Sequence, residues 1–265
     1  MPLIQRLVGV RTNDASLPIL QRDAIIDDRT VGLIDAASKY AYSGEAGAVP
    51  VNSIIRDLVR GGSDSVVQNP LAYDGKSFAF DANLDRIDLG ANWKVPSVTH
   101  FAVGIWLNTE LTGYTTGAIT ASGIATYRTS GTPAGYQWSI YQNTNADGTM
   151  RNISFVGNSC QPVAITYTGG SLVQMVFEYI SSGGLHYAKA YLNGVLVATG
   201  ATEATEFILP LVSDVPKIGR NSAGFQDTLR GEVHRLWLQK LDTEGRSLND
   251  IIALDYARNL PRFAA

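Results

Sequence analysis

From Tyr187 to Ala198 two runs of strand-forming residues flank the dipeptide Asn193-Gly194, which suits the two positive φ angles of a type I′ turn. This predicts a tight β-hairpin and is the strongest local signal in the chain. From Lys76 onward apolar residues recur with period two. Between His100 and Asn108 they occupy both registers, with Phe101, Val103, Ile105 and Leu107 on one face and Ala102, Gly104 and Trp106 on the other. A strand that is apolar on both faces belongs inside a layered structure. Leu172 to Tyr179 is rich on both sides in the same way, and Pro216–Arg220 and Leu229–Gln239 add two further strands. Apolar residues make up 45% of the chain and charged residues only 17%, with 26 glycines, which favours short strands and turns over long solvated helices. The pattern predicts an all-β fold, an antiparallel sandwich or jelly roll rather than a parallel α/β sheet.

Residues 1–70 differ in character. Short apolar clusters such as Leu17–Leu20, Ala24–Ile26 and Val31–Ile34 alternate with charged residues, Asp23 and Asp27–Arg29 among them. Ile54, Ile55, Leu58 and Val59 fall on one helical stripe, with Asn52 or Ser53 as a cap and Gly61-Gly62 as a stop, which predicts a short amphipathic helix. Its apolar face needs a surface to cover, on the sandwich or on a neighbouring subunit, so Ile54, Ile55 and Leu58 are the anchoring candidates. An arm of this kind buries little core by itself and either wraps the same domain or serves assembly. The expected organisation is an N-terminal arm with its short helix over residues 1–70 and a sandwich over 71–265. A short helix is expected to close the chain, with Ser247 as N-cap, Asp250 at the third position, and Leu248, Ile251, Ile252 and Leu254 turned inward.

The formal charge of −3 and the lack of any basic run argue against nucleic acid as a partner, because phosphate recognition relies on clustered Lys and Arg. Lone Cys160 cannot make an internal disulfide and reads as a small buried hydrophobe. The first ten residues hold too short an apolar run, and Arg11 comes too early, for a secretory signal; no stretch approaches a transmembrane span. A soluble protein made in the cytoplasm is expected.

The stretch Phe80–Leu89, followed by a strand ending in Ile105-Trp106-Leu107, resembles the opening of laminin G-like jelly rolls of the concanavalin A superfamily. Further along, Tyr191–Val197 resembles the family's hairpin, Lys217–Arg220 the strand after it, Gly231–Leu238 the last sheet strand, and Leu241–Tyr256 the short closing helix. The resemblance covers residues 71–260 and rests on element order rather than on invariant letters. It implies an antiparallel jelly-roll β-sandwich, in a family that includes lectin-like modules, adhesion domains, glycosidases and virion components. A chain without a signal, in which a turn-rich arm leads into such a jelly roll, also resembles structural proteins of tailed bacteriophages, which leave the host by lysis. That resemblance implies a non-enzymatic virion protein of the tail, baseplate or capsid surface, made in the host cytoplasm. Its partners would be other virion proteins, further copies of itself and a host-surface glycan. The alternative is a carbohydrate-binding module acting through its Tyr- and Trp-rich loops.

Glycosidases of this superfamily that cut β-glucans carry a Glu-x-Asp-x-x-Glu strand, whose alternate positions set two carboxylates about 5 Å apart. The chain has no such spacing, and its nearest pair, Glu203 and Glu206, lacks the central Asp and reads as loop. His100, His186 and His234 are far apart, and zinc, nucleophile-elbow, Walker and dinucleotide motifs are all missing. No enzyme is expected. Asp81, Asn83 and Asp85, with Asp88, are a candidate calcium site, since calcium takes about six to eight oxygens. The same residue types in a β turn cap backbone groups instead. Between Tyr114 and Tyr167, aromatic residues mix with Gln137, Gln142, Asn143, Asn145 and Asn152. Tyr127, Tyr136, Trp138 and Tyr141 are the candidates there for binding a ligand or partner, because sugars are held by aromatic faces and side-chain amides. The same mixture suits a subunit interface or plain sheet surface.

Overall fold

The computed structural model describes residues 23–81, 84–94, 99–113, 121–128, 136–157, 160–204, 215–219 and 227–264; for 121, 128, 136, 137, 227 and 228 it describes the backbone alone. Its strands begin with β1 (Thr30–Asp35), β2 (Gly47–Val49), β3 (Ile54–Ile55), β4 (Ser65–Val67), β5 (Leu71–Tyr73) and β6 (Phe78–Phe80). Next come β7 (Ile87–Asp88), β8 (His100–Thr109), β9 (Ala121–Arg128), β10 (Tyr136–Thr144), β11 (Met150–Gly157) and β12 (Val163–Thr166). The last are β13 (Val173–Ser182), β14 (Leu185–Leu192), β15 (Val195–Thr199), β16 (Lys217–Ile218), β17 (Asp227–Thr228) and β18 (Gly231–Lys240), followed by helix α1 (Leu248–Phe263).

These strands form two sheets. Sheet I runs β15-β14-β13-β8-β18-β6-β5-β2, with β1 also against β18; sheet II runs β12-β11-β10-β9-β16-β7-β4-β3, with β17 against β9. The long neighbours are antiparallel, as in β13 with β8, β8 with β18 and β10 with β11, while β17 lies parallel to β9. The expected all-β antiparallel sandwich is therefore the fold. Its core is where the inner faces meet: Phe101, Val103, Ile105 and Leu107 of β8 face a layer that includes Trp138, Ile140, Ile153 and Phe155 of sheet II. Burying one such side chain is worth about 1.5–3 kcal/mol, so the core carries the fold.

The apolar second register of β8 is explained by what lies outside sheet I. Ala102, Val176, Tyr191 and Trp237 form a second cluster with Ile25, Ile26 and Leu33 from the N-terminal side and Ile251 and Ile252 of α1. Gly104 is small because Trp237 lies flat against it: a Cβ there would sit 2.0 Å from the Trp237 ring. Helix α1 starts as expected, its cap Ser247 accepting the Asp250 N–H through its hydroxyl. The hairpin from β14 to β15 turns through Asn193 at φ 49° and Gly194 at φ 86°, the two left-handed residues that a type I′ turn requires.

One expectation for the N-terminal part is corrected. Residues 51–60 do not form a helix: Ile54-Ile55 is strand β3, and turns follow it. The backbone there is held by distant partners, with Arg56 N–H donating to Ala41 O and Leu58 N–H to Leu33 O. The Asp57 carboxylate accepts from the N–H groups of Leu33 and Val59. Ile55 enters the main core, Leu58 and Val59 pack against the second cluster and Ile54 stays exposed, so a stripe that fits a helix is divided by an extended chain. Of the two readings of the arm, the described residues before 70 fit the one that wraps the same domain, since β1 and β2 are paired into sheet I and β3 and β4 into sheet II. No helix among the described residues is long and apolar enough to cross a membrane.

Candidate functional site

The two outward faces of the sandwich have different fates. Outside sheet I, α1 lies across the second apolar cluster and seals a buried polar centre. Arg235, fully buried, donates from Nε to Asp255 Oδ1 (2.8 Å) and from Nη1 to Asp23 Oδ2 (2.8 Å) and Asp35 Oδ2 (2.7 Å). Asp255 also accepts from Trp106 (2.7 Å), Trp237 (3.2 Å), Gln174 (2.8 Å) and Asn259 (2.9 Å). Burial opposes the charge on Arg235, but the carboxylates of Asp255, Asp23 and Asp35 outweigh it and hold the guanidinium ionised. With Arg235 and Asp255 fully buried at its middle, this centre ties α1 and the N-terminal segment to the sheet.

Sheet II carries no described element on its outer face. Side chains alternate along β10, so Trp138 and Ile140 point into the core while Tyr141 and Asn143 point outward. The register places Ser154 opposite Tyr141, Asn152 opposite Asn143, and Thr166 opposite Asn152. Asn143 Nδ2 donates to Asn152 Oδ1 (2.7 Å) and to Ser154 Oγ (3.0 Å), which holds the amides upright across two strands. Tyr141, Asn143 and Asn152 are half-buried and Ala164 and Thr166 exposed, whereas Thr126 and Ser139 in the adjoining row are buried. The accessible platform is therefore the β10–β12 half of the face, with one aromatic ring beside fixed amides and hydroxyls.

Of the three aromatic candidates whose side chains are described, Tyr141 alone stands on this platform. Tyr127 and Trp138 are core residues, 3% and 0% exposed, and the Trp138 indole donates to the Trp93 carbonyl. They are corrected from binding to packing positions: Trp138 shares the inward register of Ile140, a parity legible in the sequence, and Tyr127 is set beside it by the pairing of β9 with β10. Tyr136 begins β10, but its side chain lies outside the described residues, as do Tyr114, Asn83 and Glu206. Asn143 and Asn152 are among the amides the sequence offers, whereas Ser154 and Thr166 can be found only once the pairing of β10, β11 and β12 is known.

The remaining candidates separate. Buried Asp85 accepts the backbone N–H of Asp81 (2.9 Å), a turn cap, and among the described residues no three His, Cys, Asp or Glu side chains could hold a metal ion. Ile54 is exposed on the outer face of sheet II, Ile55 lies in the core, and Leu58 packs against the cluster under α1; only the first could anchor a partner. Glu203 pairs its backbone with His186. Cys160 is buried in a bend, which pushes its thiol up to about 11. A cleft of about 540 Å³ opens at one end of sheet I, and Asp81, Asn108, Glu110 and Glu232 are among the residues that line it. Burial, with help from Asp74, raises the Glu232 carboxyl above its ordinary range against the hydrogen bond from Asn108.

No protein-family model and no curated protein sequence matches the chain. Among solved structures it is similar to Trypanosoma rangeli sialidase in complex with sialic acid, with a TM-score of 0.60 and 14% identity over 91% of this chain and 36% of that one. The same sialidase with 2,3-difluorosialic acid gives a TM-score of 0.59 and 13% identity over 88% of this chain and 33% of that one. The chain thus spans about a third of the sialidase length. Domain 4 of AbnA, a GH43 extracellular arabinanase from Geobacillus stearothermophilus, in complex with arabinotriose, is similar over 87% of this chain and 98% of that one, with a TM-score of 0.51 and 15% identity. At these identities the likeness is one of fold.

Proposed function

We propose that the protein is a non-catalytic, lectin-like β-sandwich that binds glycan on the outer face of sheet II, with Tyr141, Asn143, Asn152 and Thr166 as the platform and buried Ser154 bracing Asn143 from beneath. The observation that carries this reading is the asymmetry of the two faces. Helix α1 seals one, and the other presents an aromatic ring beside amides that are already hydrogen-bonded to one another. A sugar ring lays its apolar C–H face on an aromatic ring and trades hydroxyls with amides, and amides fixed in advance lose little entropy on binding. The arabinanase domain with arabinotriose supports the reading in so far as this scaffold accommodates an oligosaccharide there. The place of display follows the sequence resemblance: on a phage virion, with the platform turned toward a host surface.

A glycan array probed with the full chain tests the binding. Recognition of at least one glycan class is expected, with Tyr141→Ala abolishing it at unchanged thermal stability. A blank array, or binding that survives Tyr141→Ala, overturns the platform. Mass spectrometry of purified phage particles tests the virion location, which fails if the chain is missing from them.

One observation favours a second reading. The cleft lined by Asp81, Glu110 and Glu232 holds several carboxyl groups, and a carboxyl raised by burial is what a general acid needs. Incubation with polysaccharides is expected to give no new reducing ends. Turnover that Glu232→Gln abolishes would replace binding with hydrolysis.

A further inference from the structure

Sheet I ends on β15, which pairs with β14 on one side and with no described residue on the other. Val195, Leu196 and Val197 on this strand are 63%, 49% and 48% exposed. Soluble proteins normally guard a free strand edge with charges, proline or a covering loop, because its unpaired N–H and C=O groups template further sheet. Here no charged residue and no proline stands between Ala190 and Thr202. The pairing of Ala190 with Ala198 and of Tyr191 with Leu196 skips Val197, a bulge that blunts the edge in part, yet all three apolar side chains stay exposed.

We propose that β15 is the contact through which two copies of this chain pair, edge to edge and antiparallel, about a two-fold axis near Val197. The occupant of a free edge is an extended strand, since only a strand matches its spacing of donors and acceptors. The other described strands with a single paired neighbour are shorter or already covered: β2 has three residues, β3 and β17 two each and β12 four, against five in β15, while the outer edge of six-residue β1 is taken by Asp57, Leu58 and Asn92. The strand that fits β15 in length is therefore the β15 of a second copy. Its neutral sequence permits the pairing, because residues near a two-fold axis meet their own equivalents and any charge there would oppose its like. The contact consumes both edges at once and closes, which prevents open-ended sheet growth. Since it uses sheet I, both outer faces of sheet II stay free and a dimer presents two of them.

Light scattering and sedimentation equilibrium on the full chain over a concentration series read the outcome. The expected mass is two chains, each of 28.5 kDa. Val197→Lys and Val197→Glu, at a half-exposed position, are each expected to keep the wild-type circular dichroism spectrum and to dissociate at least tenfold more readily. A mixture of the two variants is expected to restore the dimer as a heterodimer. A wild-type chain that keeps the mass of one copy throughout overturns the proposal. So does a lysine variant that dimerises undiminished, or a mixture that stays monomeric.

Discussion

Five side chains reach Asp255: Arg235, Trp106, Trp237, Gln174 and Asn259. The carboxylate is fully buried, so truncating it leaves an arginine in the protein interior with one counter-charge fewer and two indole N–H groups without their acceptor. Losing one partner of a buried ion pair costs about 3–5 kcal/mol. Asp255→Ala is expected to lower the unfolding free energy by about that much, as read by urea denaturation. Two other carboxylates make stability depend on acid. Burial alone would raise Asp23, but the Arg235 guanidinium brings it below the ordinary range. Glu178, similarly opposed by burial, is lowered by hydrogen bonds from His100 (2.8 Å) and Tyr191 (2.8 Å) and by the nearby Lys189. A folded-state value below the unfolded one means that the stabilisation is complete above the unfolded value, about 4, and is lost as pH falls through the lowered folded value. Chemical denaturation at successive pH values should show stability falling below about pH 4, and Asp23→Asn should flatten part of that fall.

Strands β8 and β18 lie side by side at the centre of sheet I, and both are covered on two faces. That position explains why β8 has a glycine where a β-branched residue would ordinarily favour the strand. The Trp237 ring occupies the space that a side chain on Gly104 would need, since a Cβ would come within 2.0 Å of it. Gly104→Val is expected to destabilise the protein by about 1–3 kcal/mol or more through overpacking, measured by thermal unfolding, and to shift the near-ultraviolet signal of Trp237. The misread helix at Ile54 to Val59 shows the opposite situation. There local pattern and local cap residues favoured a helix, yet Asn52 adopts φ 66° and the Asp57 carboxylate gathers N–H groups from β1 and from its own turn. Hydrogen bonds to strands already in place outcompete a single isolated turn of helix, whose nucleation is costly.

At the scale of the molecule, the described residues 23–70 are part of the sandwich. Deleting them removes β1 from beside β18, β2 from the end of sheet I, and β3 and β4 from sheet II. It also takes Asp23 and Asp35 away from Arg235 and Leu33 away from Trp237. A chain beginning at Leu71 is therefore expected to be insoluble or to lack a cooperative melting transition. A soluble fragment that melts cooperatively would show that sheet I closes without β1. The platform on sheet II is shared among three strands that follow one another from Tyr136 to Thr166, so, as in the meander of β13 to β15, its neighbours in space are also neighbours in sequence.

That contrast marks what the chain declares by itself. The alternation from His100 to Asn108, the Asn193-Gly194 turn and the Ser247 cap were legible because each depends on φ angles, side-chain parity or a hydrogen bond within a few residues. Parity also distinguishes Trp138 from Tyr141, since one shares the register of Ile140 and the other does not. Tertiary structure alone decided which register faces α1, that Arg235 lies buried among carboxylates up to 212 residues away, and that Asn152 and Ser154 stand beside Asn143. Period two says that a strand has two faces. Which of them is covered, and by what, depends on contacts between segments whose separation along the chain carries no local energetic signal.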